Sequence, residues 1–282
     1  MRYLRLICLE LGLGLCALPA AIPAAAAADA ASSVPPRSPP PRPPASPRSA
    51  GAILADSVKA TGGDAPWKAH HSIVTTTQIE YAKMAISGTR TQTLTSKNKS
   101  LAVTDIPNVG EVKEGTNGRV VWSDDPVNGL RLLTGAEAEQ FKLESTWNLE
   151  RNLNKLFNKI TVKGDTEGGL ALECLELTPA VGQPLTTCYD AETHLQVLQK
   201  GTAATPQGDV PFTSRIKTWK EAGGMKLPEL VEMTTGPIEF LARLTGVAFD
   251  KPIDDKVFEV PGGREKARSN ARAKAAAKTP AE

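Results

Sequence analysis

Ser72-Ile-Val-Thr-Thr-Thr-Gln-Ile-Glu-Tyr-Ala82 decides the fold. Ile73, Thr75, Thr77, Ile79 and Tyr81 alternate with Val74, Thr76, Gln78 and Glu80, a period of two in β-branched and aromatic residues. One set falls on each face of a pleated strand, so the stretch reads as a half-buried strand. Towards the C-terminus the same pattern predicts strands over 84–96, 99–106 and 109–114. Asn117-Gly118 is a hairpin signal leading into Arg119-Val-Val-Trp122, and Asp124-Asp-Pro-Val-Asn-Gly129 is a second turn before Leu130–Leu133. Beyond a helical interruption, strand patterns return at 160–166, 169–178, 184–190, 193–204, 210–220, 225–235 and 256–260. So many consecutive strands with no alternating helices predict antiparallel pairing. The expected fold is α+β: one large curved antiparallel sheet, a half-barrel, with helices covering its concave face, occupying 51–262 as one domain.

The helices are read from spacing. In 52–60, Leu54 and Val58 lie four apart and Gly62-Gly63 ends the run, which fits a short helix. The long helical stretch is 134–158. Thr134 and Glu137 have the spacing of a capping box. Leu149, Leu153, Leu156, Phe157 and Ile160 fall on one apolar stripe, with Arg151, Asn152, Lys155 and Asn158 off it. Laid across a concave sheet, this stretch either fills the concavity or leaves an apolar pocket beneath it.

Composition bounds the rest. Of 282 residues, 40% are hydrophobic and 5% aromatic, and the formal charge is +2. That charge is uneven: 29–50 carries three Arg against Asp29, 263–282 carries six basic residues against two acidic ones, and 51–262 is left at about −5. A nucleic-acid-binding fold, whose basic charge would lie on the folded body, is excluded. Residues 1–28, with Arg2 and Arg5, an apolar run to Leu18 and the alanines 24–28, read as a signal peptide, with Glu10 out of place in the apolar stretch. The alternative retains 6–28 as an uncleaved membrane anchor. A lipidated Cys16 is disfavoured by Leu15 before it. Residues 29–50, with eight Pro, read as an extended disordered linker, and 263–282 as a disordered basic tail able to touch an anionic membrane.

Cys8 and Cys16 fall in the signal, which leaves Cys174 and Cys188 on neighbouring strands of an exported chain. A structural cross-strand disulfide is expected, closing a loop worth about 3 kcal/mol. Searches for catalytic groups return no nucleophile elbow, P-loop or dinucleotide fingerprint. His70 and His71 point to opposite faces of a strand, so no metal site is expected. Asp124-Asp125 and Asp254-Asp255 have turn neighbours and read as turn residues. No catalytic residue and no cofactor is assigned.

Four segments, in order, carry a resemblance: Ala60-Thr-Gly-Gly-Asp-Ala-Pro-Trp67, Gly115-Thr-Asn-Gly-Arg-Val-Val-Trp122, Cys188-Tyr-Asp-Ala-Glu-Thr-His-Leu195 and Lys217-Thr-Trp-Lys-Glu-Ala-Gly-Gly-Met-Lys-Leu-Pro228. Together they resemble the periplasmic lipoprotein carriers, the LolA/LolB-like outer-membrane lipoprotein-sorting superfamily, over about 51–262. The resemblance implies a periplasmic or secreted protein, a half-barrel wrapped on helices, and a cavity for lipid or lipoprotein acyl chains, bound without a cofactor. Expected wall residues are Leu149, Leu153 and Phe157, then Phe141, Trp147 and Trp122. A second reading is an envelope sensory or scaffold protein that binds a protein partner. A third is a hydrolase with a polar cluster around His70 and Glu80.

Overall fold

The computed structural model describes residues 48–167, 170–206 and 208–267. The expected signal (1–28), nearly all of the linker and most of the tail lie outside the described residues. Alternating sequence becomes thirteen strands of one antiparallel sheet. They are β1 (Ser72–Tyr81), β2 (Ile86–Thr95), β3 (Ser100–Ile106), β4 (Gly110–Thr116), β5 (Val121–Asp124), β6 (Arg131–Leu132), β7 (Phe157–Glu167), β8 (Leu170–Pro179), β9 (Leu185–Asp190), β10 (Gln196–Thr205), β11 (Gly208–Ala222), β12 (Met225–Thr235) and β13 (Ile238–Phe249). Helices α1 (Ala50–Ala60), α2 (Ala65–Ala69), α3 (Gly135–Glu144) and α4 (Leu149–Leu156) complete the unit.

The strand order is β6-β5-β4-β3-β2-β1-β13-β12-β11-β10-β9-β8-β7. Every neighbouring pair is consecutive in sequence except β1–β13, which zips the two halves together with Ile79 opposite Ala242 and Ile73 opposite Phe249. The free edges are therefore β6 and β7, and the chain crosses from one to the other through α3 and α4. That crossing forces the sheet to curl. Eight strand spacings separate β5 from β10, about 38 Å if the sheet were flat, yet a ten-residue helix of about 15 Å touches both. Ala138 and Phe141 of α3 pack on Val121 of β5, and the Gln140 Oε1 accepts the Ala204 N–H of β10 at 3.0 Å.

The concave face follows from register. Ile73, Thr75, Thr77, Ile79 and Tyr81 all point inward, as their alternation predicts. At one end of the trough the two half-sheets meet directly. Ile79, Tyr81, Ile106 and Val112 form one cluster with Phe212, Val231, Met233 and Phe240, all from strands. At the other end the helices intervene: Ile53 and Leu54 of α1 and Leu149 and Leu153 of α4 cover Leu175, Leu177 and Tyr189. Arg48, just ahead of α1, bonds the Glu173 carboxylate of β8 at 2.9 and 3.1 Å and also pairs with Asp56. Ser49 caps α1, accepting the Ala52 N–H at 3.2 Å.

The helical stretch is shorter and more broken than 134–158. α3 ends at Glu144, and Asn148 takes a left-handed conformation (φ 49°) that no helix can pass through; Ser145, Thr146 and Asn148 are poor interior helix residues. Phe157 and Ile160 belong to β7. The capping box does not form, because Arg131 takes Glu137 in a two-pronged ion pair at 2.6 and 2.7 Å. The expected strand at 256–260 is a 3-10 turn, Asp255–Phe258, and β13 occupies a stretch where no strand is expected.

The disulfide agrees with the reading of the cysteines. Cys174 and Cys188 are directly opposed on β8 and β9 and bonded, with Leu172 and Leu198 beside them. The C-terminal segment runs back over the outer face, where Phe258, Val260 and Ala267 bury Trp122. The Trp122 indole N–H donates to the Phe258 carbonyl at 3.0 Å, and Lys99–Asp255 (2.7 Å) and Asn117–Glu259 (2.8 Å) hold the strap. Residues 263–267 are helical, so the described fold reaches past 262.

Candidate functional site: a cavity beneath the crossing helix

α3 spans the mouth of the trough and is fastened near its start by Arg131–Glu137 and at its middle by Gln140–Ala204. Its Phe141 side is packed on β5. Its other side, with the α3–α4 junction, stands off from the sheet and leaves a cavity of about 510 Å³, inside the roughly 300–1,000 Å³ range of small-molecule sites. Leu143, Leu149, Leu156, Leu185 and Phe212 make the apolar wall, and the loop from Pro179 to Gln183 closes one side. Phe212 reaches its place because Gly201 faces it across β10–β11. A Cβ there would lie 3.0 Å from the Phe212 ring and 3.1 Å from Leu185. Gln199, 3% exposed, sets an uncharged amide in the lining. Glu139, Lys142, Glu144 and Asp209 supply the lining's charged side chains.

Of the expected wall residues, Leu149 lines the cavity. Leu153 (0% exposed) and Phe157 face the core instead, against α1 and β8. Phe141 packs on β5. Trp147 lies edge-on to Trp67 at 5.0 Å and donates its indole N–H to the Trp67 carbonyl, pinning the α3–α4 junction to α2. Trp122 is on the opposite, outer face, because it pairs with Gly115 while Val121 and Ser123 point inward. The cavity is thus built from Leu149 and Leu156 of the expected stripe, from Leu143 of α3, and from strand and loop residues far away in sequence.

Two inward groups escaped the sequence reading altogether. Arg90 of β2 and Glu114 of β4 are each 3% exposed, two strands apart on the concave face, among Thr75, Thr77, Gln92 and Thr104. Their alternation among threonines was the available signal. Behind the helices, Ser57 donates to Glu150 at 2.5 Å, and burial together with the nearby Glu150 carboxylate raises the Tyr189 phenol well above its ordinary range.

The expected polar cluster around His70 and Glu80 is not assembled. His70 precedes β1 and Glu80 nears its far end on the outer face, about 30 Å away at strand rise. His70 instead stacks on Phe249 at 4.2 Å and bonds Asp250 at 2.6 Å. Asp250 also accepts the His71 and Ser72 N–H groups, and these bonds, led by His70, lower its carboxyl to about 2. Asp125 and Asp254 are turn residues, accepting Val127 and Lys256 N–H groups. Among the described residues no group of three His, Cys, Asp or Glu is placed to hold a metal ion, and no helix is long and apolar enough to cross a membrane.

No family model matches the sequence, and no curated protein matches it. Solved structures do match the fold. A DUF1329 family protein from Desulfovibrio piger superposes with a TM-score of 0.50 at 9% identity, covering 75% of this chain and 98% of that one. A LolA superfamily protein from Nitrosomonas europaea gives 0.50 at 14% identity, covering 74% and 96%. An outer membrane lipoprotein-sorting protein domain from Vibrio parahaemolyticus gives 0.49 at 12% identity, covering 73% and 94%. At this level of identity what is shared is architecture, and the chain has the LolA-like fold.

Proposed function

We propose that this is an exported binding protein that holds an acyl chain in the cavity between α3, α4 and β8–β11. The observation that carries the reading is that cavity, apolar on Leu143, Leu149, Leu156, Leu185 and Phe212 and lying under a helix held by discrete polar fastenings. A buried chain gains about 0.8 kcal/mol per CH₂, so a half-length chain already yields useful affinity. The LolA-like fold supports the same ligand class. Export is supported by the 1–28 pattern and by the Cys174–Cys188 disulfide, which persists in oxidising compartments.

Native mass spectrometry of the exported protein, purified without delipidation, tests the reading. Extra mass matching a lipid, lost in variants that fill the cavity, is the expected result. A clean apo mass that stays clean after incubation with lipid would remove the acyl-binding reading and leave a protein-partner role to be tested by envelope cross-linking.

A further inference from the structure

The apolar wall of the cavity fixes how much ligand it can take, an inference that rests on the acyl-chain reading. Each of its five apolar residues also belongs to a filled part of the core. Leu149 is buried in the helix-end cluster, and Leu143, Leu156 and Leu185 pack against that cluster. Phe212 is a buried member of the strand-end cluster. The apolar space therefore ends where those clusters begin, and close-packed side chains stop it from lengthening either way. Its floor is set as tightly. The Phe212 ring reaches over β10 towards Leu185 because Gly201 has no side chain: a Cβ there would meet the ring at 3.0 Å and Leu185 at 3.1 Å. Gly201 does not take a positive φ, so the ring and not the backbone requires glycine at this position. At about 30 Å³ for a group the size of a water molecule or a methylene, 510 Å³ admits about 17 such groups. That is the bulk of one long acyl chain and not of two.

We propose that the cavity is a single-chain site, with an upper limit of about 16 carbons set by the Phe212 ring seated on Gly201. Single-chain amphiphiles are its ligand class, and diacyl lipids are excluded by bulk. Phe212 and Gly201 are the specificity-determining residues.

The test uses the full exported protein and displacement of the uncharged fluorescent probe N-phenyl-1-naphthylamine. The competitors are monoacylglycerols from octanoyl to icosanoyl, below their aggregation concentrations. Affinity is expected to rise about fourfold per methylene and to stop rising near the hexadecanoyl member. 1,2-Didodecanoylglycerol is expected to compete no better than monododecanoylglycerol. Phe212→Ala is expected to move the break about three carbons longer. Gly201→Val lifts the ring into the cavity and is expected to move the break about two carbons shorter. The length series and the diacyl comparison need only the parent protein and decide the proposal even where a variant fails to fold. A rise that continues to icosanoyl, a diacyl competitor severalfold stronger than its monoacyl counterpart, or a break unmoved in a folded variant overturns the proposal while leaving acyl binding intact. Failure of the probe and every competitor to bind overturns the acyl-chain reading, and this inference with it.

Discussion

The two ends of the trough solve the same problem differently. At the strand end, Ile79, Tyr81, Ile106 and Val112 meet Phe212, Met233 and Phe240 directly, and the curl of the sheet fills its own interior. At the helix end, the half-sheets diverge and α1, α3 and α4 take up the space, with a cavity remaining where α3 crosses. The first arrangement is held by continuous apolar contact. The second combines apolar contacts of α1 and α4 on Leu175, Leu177 and Tyr189, and of α3 on Val121, with discrete fastenings: Arg131–Glu137, Gln140–Ala204 and Arg48–Glu173. Contact that fills space stabilises strongly and moves little, whereas a few polar fastenings can open at modest cost. A binding site belongs at the second kind of end.

This contrast can be broken by substitution, and the largest effect is expected at the strand end. Phe240→Ala deletes a buried ring whose centroid lies 5.4 Å from that of Tyr81, tilted at 45° to it, with an expected loss of about 3–5 kcal/mol in chemical denaturation. Next comes the cross-strand bond: C174A/C188A is expected to lose about 3 kcal/mol, and reduction of the parent protein to mimic it. Arg131→Ala should cost only about 1–2 kcal/mol, the pair being mostly but not wholly buried. Its signature is local, faster amide exchange confined to α3 with the strand end unchanged. If exchange instead rises uniformly, α3 is no separate element and the contrast fails.

Ala136→Trp projects an indole into the cavity and sharpens the comparison from the other side. Stability is expected to stay within about 1 kcal/mol of the parent, while displacement assays show acyl binding lost. The smallest effect concerns the His70–Asp250 contact. The Asp250 carboxyl is lowered to about 2 in the folded protein, so its contribution is complete above the unfolded value of about 4 and fades as pH falls towards 2. Asp250→Asn should therefore narrow the acid-side loss of stability and leave both ends of the trough unaltered.

The sheet was legible because alternation is local. Ile73 to Tyr81 carry their inward face in their own sequence, and Cys174 and Cys188 lie on strands joined by one short loop. β13 has the same alternation in Ile238, Phe240, Ala242 and Leu244, but Leu241 on the outer face and Gly246 at the irregular join with β1 blur it. The cavity was far less legible. A stripe through Leu149 and Leu153 marks the buried side of α4, and the most deeply buried side chain on it, Leu153, is core for that reason. The wall is made by Leu149 and Leu156, on the same stripe, and by Leu185 and Phe212, which only the closure of the sheet brings near. The break at Asn148 rests on one residue's left-handed backbone, and Glu137 chose Arg131 over a cap because β6 delivers a guanidinium to it. Neither is a pattern that spacing alone announces.

The proposed acyl chain lodges under α3 and not elsewhere on the fold. Photolabelling with a diazirine-bearing fatty acyl amide, followed by peptide mapping, tests this most directly. Labels on peptides spanning 136–156, 179–185 and 199–212, abolished by Ala136→Trp, are the predicted result. Labels spread over the outer face around Trp122 and 252–267, or an unchanged pattern in Ala136→Trp, would contradict it.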